Sequence, residues 1–156
     1  MITPVNQASY TVSTNHYQTL VAYPLHESLG VAVYDPGIGV GGMLHFTRPD
    51  SKESPEQAKA SPATFADTGI SAFLWDLFKN GATRKGLKVK LAGGARMFKD
   101  TLGVGERNYL MAKRVLWKHN LVVANEAVGG NSGVHLKLEM STGAVVVKSN
   151  NVEIAL

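Results

Sequence analysis

Residues 30–46 read GVAVYDPGIGVGGMLHF. Two short apolar, β-rich runs, Gly30–Tyr34 and Val40–Phe46, flank Asp35-Pro36-Gly37, where proline presets φ and glycine accepts a positive φ. The stretch therefore reads as a β-hairpin around which the rest of the chain has to pack. Upstream, Tyr17–Ala22 is a further strand-like run. Downstream, residues 47–63 are polar, carry three prolines and show no periodicity, which predicts a mobile surface loop. Phe65, Ile70, Phe73, Leu74, Leu77 and Phe78 then recur at helical spacing. They predict a helix over 64–80, with Thr64 as N-cap, Asp67 in the first turn and Gly81 just past its end.

Further along, Leu87–Ala92 alternates as a strand and stops at Gly93-Gly94. A second helix is expected over 106–119, with Leu110, Met111, Val115 and Leu116 facing inward and Asn120 ending it. Leu121–Ala124 reads as a short buried strand. Val134–Met140 and Ala144–Lys148 form a hairpin closed by Ser141-Thr142-Gly143. Strands outnumber helices, so the fold class is α/β (α+β), with helices on the outer faces of a mixed sheet or a pair of sheets. No internal repeat or change of composition marks a second unit, and residues 1–156 are expected to form one domain.

The bulk numbers exclude several functions. The 44% hydrophobic and 18% charged residues describe a globular chain. With no cysteine it forms no disulfide, thiolate metal site or thiol nucleophile. The first twenty residues show neither a basic nor an apolar signal region, and no run is long enough to span a membrane, so a cytoplasmic address is expected. The formal charge of +4 invites a nucleic-acid reading. Yet Arg84, Lys85, Lys88 and Lys90 form the densest basic group, and no aromatic residues interleave with them as a stacking platform requires. A solvated basic face, or attraction to an acidic protein, accounts for the charge better.

Nor do the short motifs point to a cofactor. Gly37-Ile38-Gly39-Val40-Gly41-Gly42 lies inside the hairpin and matches neither a dinucleotide nor a Walker loop. Gly103-Val104-Gly105 precedes a helix, but Glu106 would repel an anion there. The histidines at 16, 26, 45, 119 and 135 are scattered without metal-ligand spacing, so no metal is expected. His45 is the candidate of interest, following the pair Gly41-Gly42 that lets another backbone approach closely.

Val31-Ala32-Val33-Tyr34-Asp35-Pro36 is followed by Gly41-Gly42-Met43-Leu44-His45, and Ala66-Asp67-Thr68-Gly69-Ile70 opens a helix. Leu91-Ala92-Gly93-Gly94-Ala95-Arg96-Met97-Phe98, Gly103-Val104-Gly105-Glu106-Arg107-Asn108 and Asn125-Glu126-Ala127-Val128-Gly129-Gly130-Asn131 follow, before the closing hairpin around Thr142-Gly143. In these segments and their order, over about residues 17–150, the chain resembles the CheD family, the chemoreceptor glutamine deamidases of bacterial and archaeal chemotaxis. The resemblance implies a four-layer α/β/β/α sandwich. It also implies a reaction in which a Cys thiolate attacks a receptor glutamine side chain, a His carries the proton to departing ammonia, and water clears the thioester. A Thr on a neighbouring strand orients that His.

His45 matches the family histidine, whereas the nucleophile does not match. Ungapped counting puts the family Cys at Ser28 and the Thr at Ala22, and a two-residue deletion would put the Cys at Gly30 instead. The family's Gly-Ser-Cys context is replaced by Leu25-His26-Glu27-Ser28-Leu29-Gly30. A serine hydroxyl, unlike a thiol of pKa about 8.5, is essentially never ionised at neutral pH. Two readings follow. One is a catalytically impaired homologue that binds chemoreceptor cytoplasmic helices or a CheC-like phosphatase. The other is an amidohydrolase in which Ser28 and His45 replace the Cys/His pair. The second requires Ser28 Oγ within about 2.6–3.2 Å of His45, in an accessible cleft. His26 could share the side of Ser28, whereas strand alternation would point Glu27 away.

Overall fold

The computed structural model describes residues 1–98 and 101–156. Among these residues ten strands and three α-helices follow one another as β1 (Ile2–Pro4), β2 (Ser9–Ser13), β3 (Thr19–Leu25), β4 (Leu29–Asp35), β5 (Val40–Phe46), α1 (Pro55–Ala60), α2 (Ala66–Lys79), β6 (Lys88–Gly93), α3 (Val104–Lys118), β7 (Val123–Val128), β8 (Val134–Glu139), β9 (Val145–Ser149) and β10 (Val152–Ala155). The strands form two five-stranded mixed sheets, ordered β1-β3-β8-β9-β10 and β2-β5-β4-β6-β7. Each holds one parallel pair, β1 with β3 and β6 with β7.

The hairpin that opened the sequence reading becomes β4 and β5 at the centre of the second sheet, from Leu29↔Phe46 to Asp35↔Val40. These strands read as continuous apolar runs because both faces are covered. Leu29, Val31, Val33, Leu44 and Phe46 pack beneath α2 and α3 against Ile70, Phe73, Leu77, Ala112 and Leu116. Ala32 and Met43, on the opposite face, meet Leu20, Leu25, Leu136, Leu138 and Val147 of the first sheet. Gly42 is glycine because α2 and β2 press on it: a Cβ there would lie 2.4 Å from the Thr11 carbonyl and 2.8 Å from Phe73.

The expected two-sheet α+β sandwich is present, but among the described residues its helical layer covers one sheet alone, giving three layers, α/β/β, rather than four. α2 and α3 both pack on the second sheet. On the outer face of the first, side chains alternating with the buried leucines and valines are polar or amphipathic, as with Tyr23, His135 and Lys148, so that face needs no cover.

The local expectations fare unevenly. The segment 47–63 is not a free loop but holds α1 and two 3₁₀ turns, Ser51–Glu53 and Pro62–Thr64. It is tied down at both ends, by the Thr47 and Arg48 N–H groups donating to the Thr64 carbonyl and by Ser51 donating to Asp67. α2 therefore starts at Ala66. Phe65 stands at the N-cap position without a side-chain cap, and the Thr64 hydroxyl donates to Ser61 instead. Gly81 and Asn120 both take positive φ just past their helices, as expected. Leu110, expected inward, is 55% exposed. The buried face of α3 runs Gly105, Asn108, Ala112, Val115, Leu116, and a polar side chain holds the inward place assigned to a leucine. The strand expected at 121–124 lies at Val123–Val128, while Leu121 is buried ahead of it.

Candidate active site

β5 carries His45 one residue from its end, on the face between the sheets, and Ser28 immediately precedes β4. Because Gly30 pairs with His45 across the ladder, Ser28, two residues earlier and on the same face, reaches the imidazole diagonally. Ser28 Oγ lies 2.9 Å from His45 Nε2. The other ring nitrogen, Nδ1, is 3.3 Å from the Val5 carbonyl. A carbonyl only accepts, so Nδ1 carries the proton, Nε2 presents its lone pair, and the Ser28 hydroxyl donates to it. Val5 is fixed in turn by its N–H, which donates to the Val21 carbonyl.

Burial sets the electrostatics. His45 is 1% exposed, and desolvation lowers its pKa from the ordinary histidine value, a shift opposed in part by the Val5 carbonyl. The imidazole is therefore neutral at neutral pH, the form that accepts a proton. Among the described residues no carboxylate reaches Nδ1. The pair thus has a nucleophile position and a base, but its third group is a backbone carbonyl rather than an anion able to stabilise imidazolium.

Ser28, 8% exposed, lines a cleft of about 440 Å³ with Gln7, His26, Thr47 and Met97, and His45 sits behind it. His26 shares that cleft, as the sequence allowed, and its Nδ1 has no hydrogen-bond partner among the described residues. Glu27 lines it as well, against expectation. Residues 26–28 form a bend rather than a strand, so strict alternation does not govern them. Of the two places for a nucleophile, Gly30 is the more crowded: a Cβ there would lie 2.7 Å from a Leu136 methyl and 3.0 Å from a Leu25 methyl, and these buried side chains would have to shift. Ala22, the ungapped counterpart of the family threonine, is fully buried in the core between the sheets.

Two contributions escaped the sequence reading. The connection from β1 to β2 supplies Val5 and Gln7, both outside the stretch that carried the resemblance. Asn108 of α3 is fully buried, and its Nδ2 donates to the carbonyls of Glu27 at 2.9 Å and Thr47 at 3.0 Å. The available signal was a polar residue at an inward helical position.

The class of protein that this fold and site define is an α+β sandwich in which a hydroxyl is hydrogen-bonded to a buried neutral imidazole at a cleft. Comparison with known proteins makes the assignment specific. Residues 48–149 match the family model for CheD chemotactic sensory transduction. A probable chemoreceptor glutamine deamidase of Syntrophus aciditrophicus is 40% identical over 148 residues, covering 94% of this chain and 92% of the relative. Proteins of the same name from Solibacter usitatus and Pyrococcus abyssi are each 38% identical, covering 85% and 79% of this chain and 80% and 77% of their own lengths. The chain belongs to the CheD family and is a CheD-like chemotaxis protein. Among the described residues no helix is long and apolar enough to cross a membrane.

Proposed function

We propose that this protein acts in chemotaxis signalling by binding a protein partner in the cytoplasm, its deamidase chemistry impaired by the hydroxyl that stands where the family has a thiol. The observation that carries the reading is the Ser28–His45 pair itself, with its spacing intact at 2.9 Å and its nucleophile exchanged in a chain without cysteine. A hydroxyl needs a stronger base than a thiol does, and this imidazole is weakened by burial and, among the described residues, backed by a carbonyl alone. Catalytic sets that lose one member fall by on the order of 10⁴ or more in rate. The partners that fit are the cytoplasmic helices of a chemoreceptor or a CheC-like phosphatase. Phe98, next in sequence to the cleft residue Met97, is 100% exposed, and Leu102, two residues before the cleft residue Val104, is 73% exposed, apolar surface of the kind a partner covers.

The 2.9 Å contact also supports a second reading, an amidohydrolase using Ser28 and His45, because it meets the distance that mechanism requires. Ammonia release from a glutamine-containing receptor fragment separates the two. Under the first reading the wild type stays at the level of the His45→Ala variant, and Ser28→Cys raises release at least about a hundredfold. Wild-type release above the His45→Ala background would establish the serine mechanism.

A further inference from the structure

On the buried face of α3, Asn108 is the one polar side chain among Gly105, Ala112, Val115 and Leu116. An apolar residue would anchor the helix to the sheet without the cost of burying a carboxamide. What the carboxamide adds is specific. The β4–β5 ladder ends at Leu29↔Phe46, so Glu27, Ser28 and Thr47 lie beyond its last pair. At that point a single nitrogen, Asn108 Nδ2, holds the carbonyl that precedes Ser28 and the carbonyl two residues past His45. The two strand ends cannot splay without breaking one of these bonds. Asn108 Oδ1 has no partner among the described residues, so the amide is satisfied only through the strand ends it ties.

We propose that Asn108 is a positioning residue of the Ser28–His45 pair, fixing the spacing of the two strand ends from which the hydroxyl and the imidazole project. The proposal rests on reading that pair as the nucleophile and histidine positions of the family. Its function would be to keep Oγ and Nε2 within hydrogen-bond reach, a tolerance of tenths of an ångström: the Gly94 N–H on the Ser28 carbonyl and the Ala8 N–H on the His45 carbonyl hold each strand from its outer side, whereas Asn108 ties the two strands to each other beyond their last pair.

The experiment uses the absence of cysteine. Ser28→Cys introduces a single thiol, and its alkylation by iodoacetamide, followed against pH, reports on the pair without any substrate. In this variant the pH midpoint of alkylation is expected below the ordinary thiol value of about 8.5, and adding His45→Ala returns it there. Asn108→Asp, added to Ser28→Cys, keeps the shape but replaces the donor by an acceptor. It should raise the midpoint by about half a unit or more, roughly a threefold loss of thiolate at neutral pH. Asn108→Ser, which keeps one donor, should give a smaller shift and decides the matter should Asn108→Asp fail to fold. Ile70→Val, a loss of packing in α2, should lower the melting temperature and leave the midpoint in place. Folded Asn108 variants with the parent midpoint would overturn the positioning role while leaving the pair intact. A Ser28→Cys midpoint indifferent to His45→Ala would instead overturn the reading of the pair, and the positioning role with it.

Discussion

At the scale of single residues, His45 couples stability to pH with a definite sign. Its folded-state pKa lies below the ordinary value of about 6.5 because burial disfavours imidazolium. The unfolded chain therefore binds the proton more readily than the folded one. The stabilisation is fully present above the unfolded pKa and is lost as pH falls from there through the lowered folded value. In His45→Gln, which does not titrate, this component vanishes. Urea denaturation at pH 8, 6.5 and 5 should show the wild type losing more stability than the variant below about pH 6.5. Parallel curves would mean that His45 titrates alike in both states. Under the proposed reading of Ser28 as standing at the family's cysteine position, the same burial would make serine a poor substitute: the environment that keeps the imidazole neutral gives little help to the imidazolium that a serine attack creates.

At the scale of elements, α3 shows how a local rule can reverse sign. Replacing a helical glycine by alanine ordinarily gains about 1 kcal/mol. At Gly105 the added Cβ would lie 2.1 Å from the Ala95 carbonyl and 2.7 Å from that of Gly94, both backbone atoms that cannot swing away. Gly105→Ala should therefore lose about 1–3 kcal/mol, read as a lower urea midpoint at unchanged slope. A gain would show that the helix has room to withdraw. α3 also marks the limit of what was legible in the sequence. Its existence, its end and the inward Met111, Val115 and Leu116 followed from periodicity and from Asn120, but Leu110 and Asn108 did not. Apolar Leu110 was placed inward by its type, whereas the structure buries Asn108, whose value lies in two carbonyls distant in sequence. β4 and β5 were legible because burial on both faces produced unbroken apolar runs around a strong turn. β1, β2 and β10 were not, being short or exposed strands in which pairing, not pattern, makes the element. For the candidate site, Ser28 and His45 were legible through the resemblance. Val5 was not, because it acts through a backbone carbonyl that any residue supplies.

At the scale of the whole molecule, the sandwich divides its tasks between ends and faces. The helical layer buries one face of the second sheet, and the outer face of the first is polar enough to stand in water. The Ser28–His45 cleft opens where β3 hands over to β4, next to Met97 on the segment that leaves β6. Phe98, next in sequence to Met97, and Leu102, two residues before the cleft residue Val104, have 100% and 73% of their surface exposed. Neither supports the core, so removing them should cost the fold almost nothing, while a partner seated over the cleft would lose its apolar contact. Phe98→Ser combined with Leu102→Ser should leave the melting temperature within a degree or two and weaken binding to a receptor cytoplasmic fragment at least about tenfold. Isothermal titration against the wild type measures this directly. An unchanged affinity would move the docking surface away from the cleft, and with it the argument that a chain lacking the thiol still binds what its relatives act upon. A loss of affinity together with silence in the ammonia assay would show the two halves of the inherited site, recognition and chemistry, coming apart in one protein.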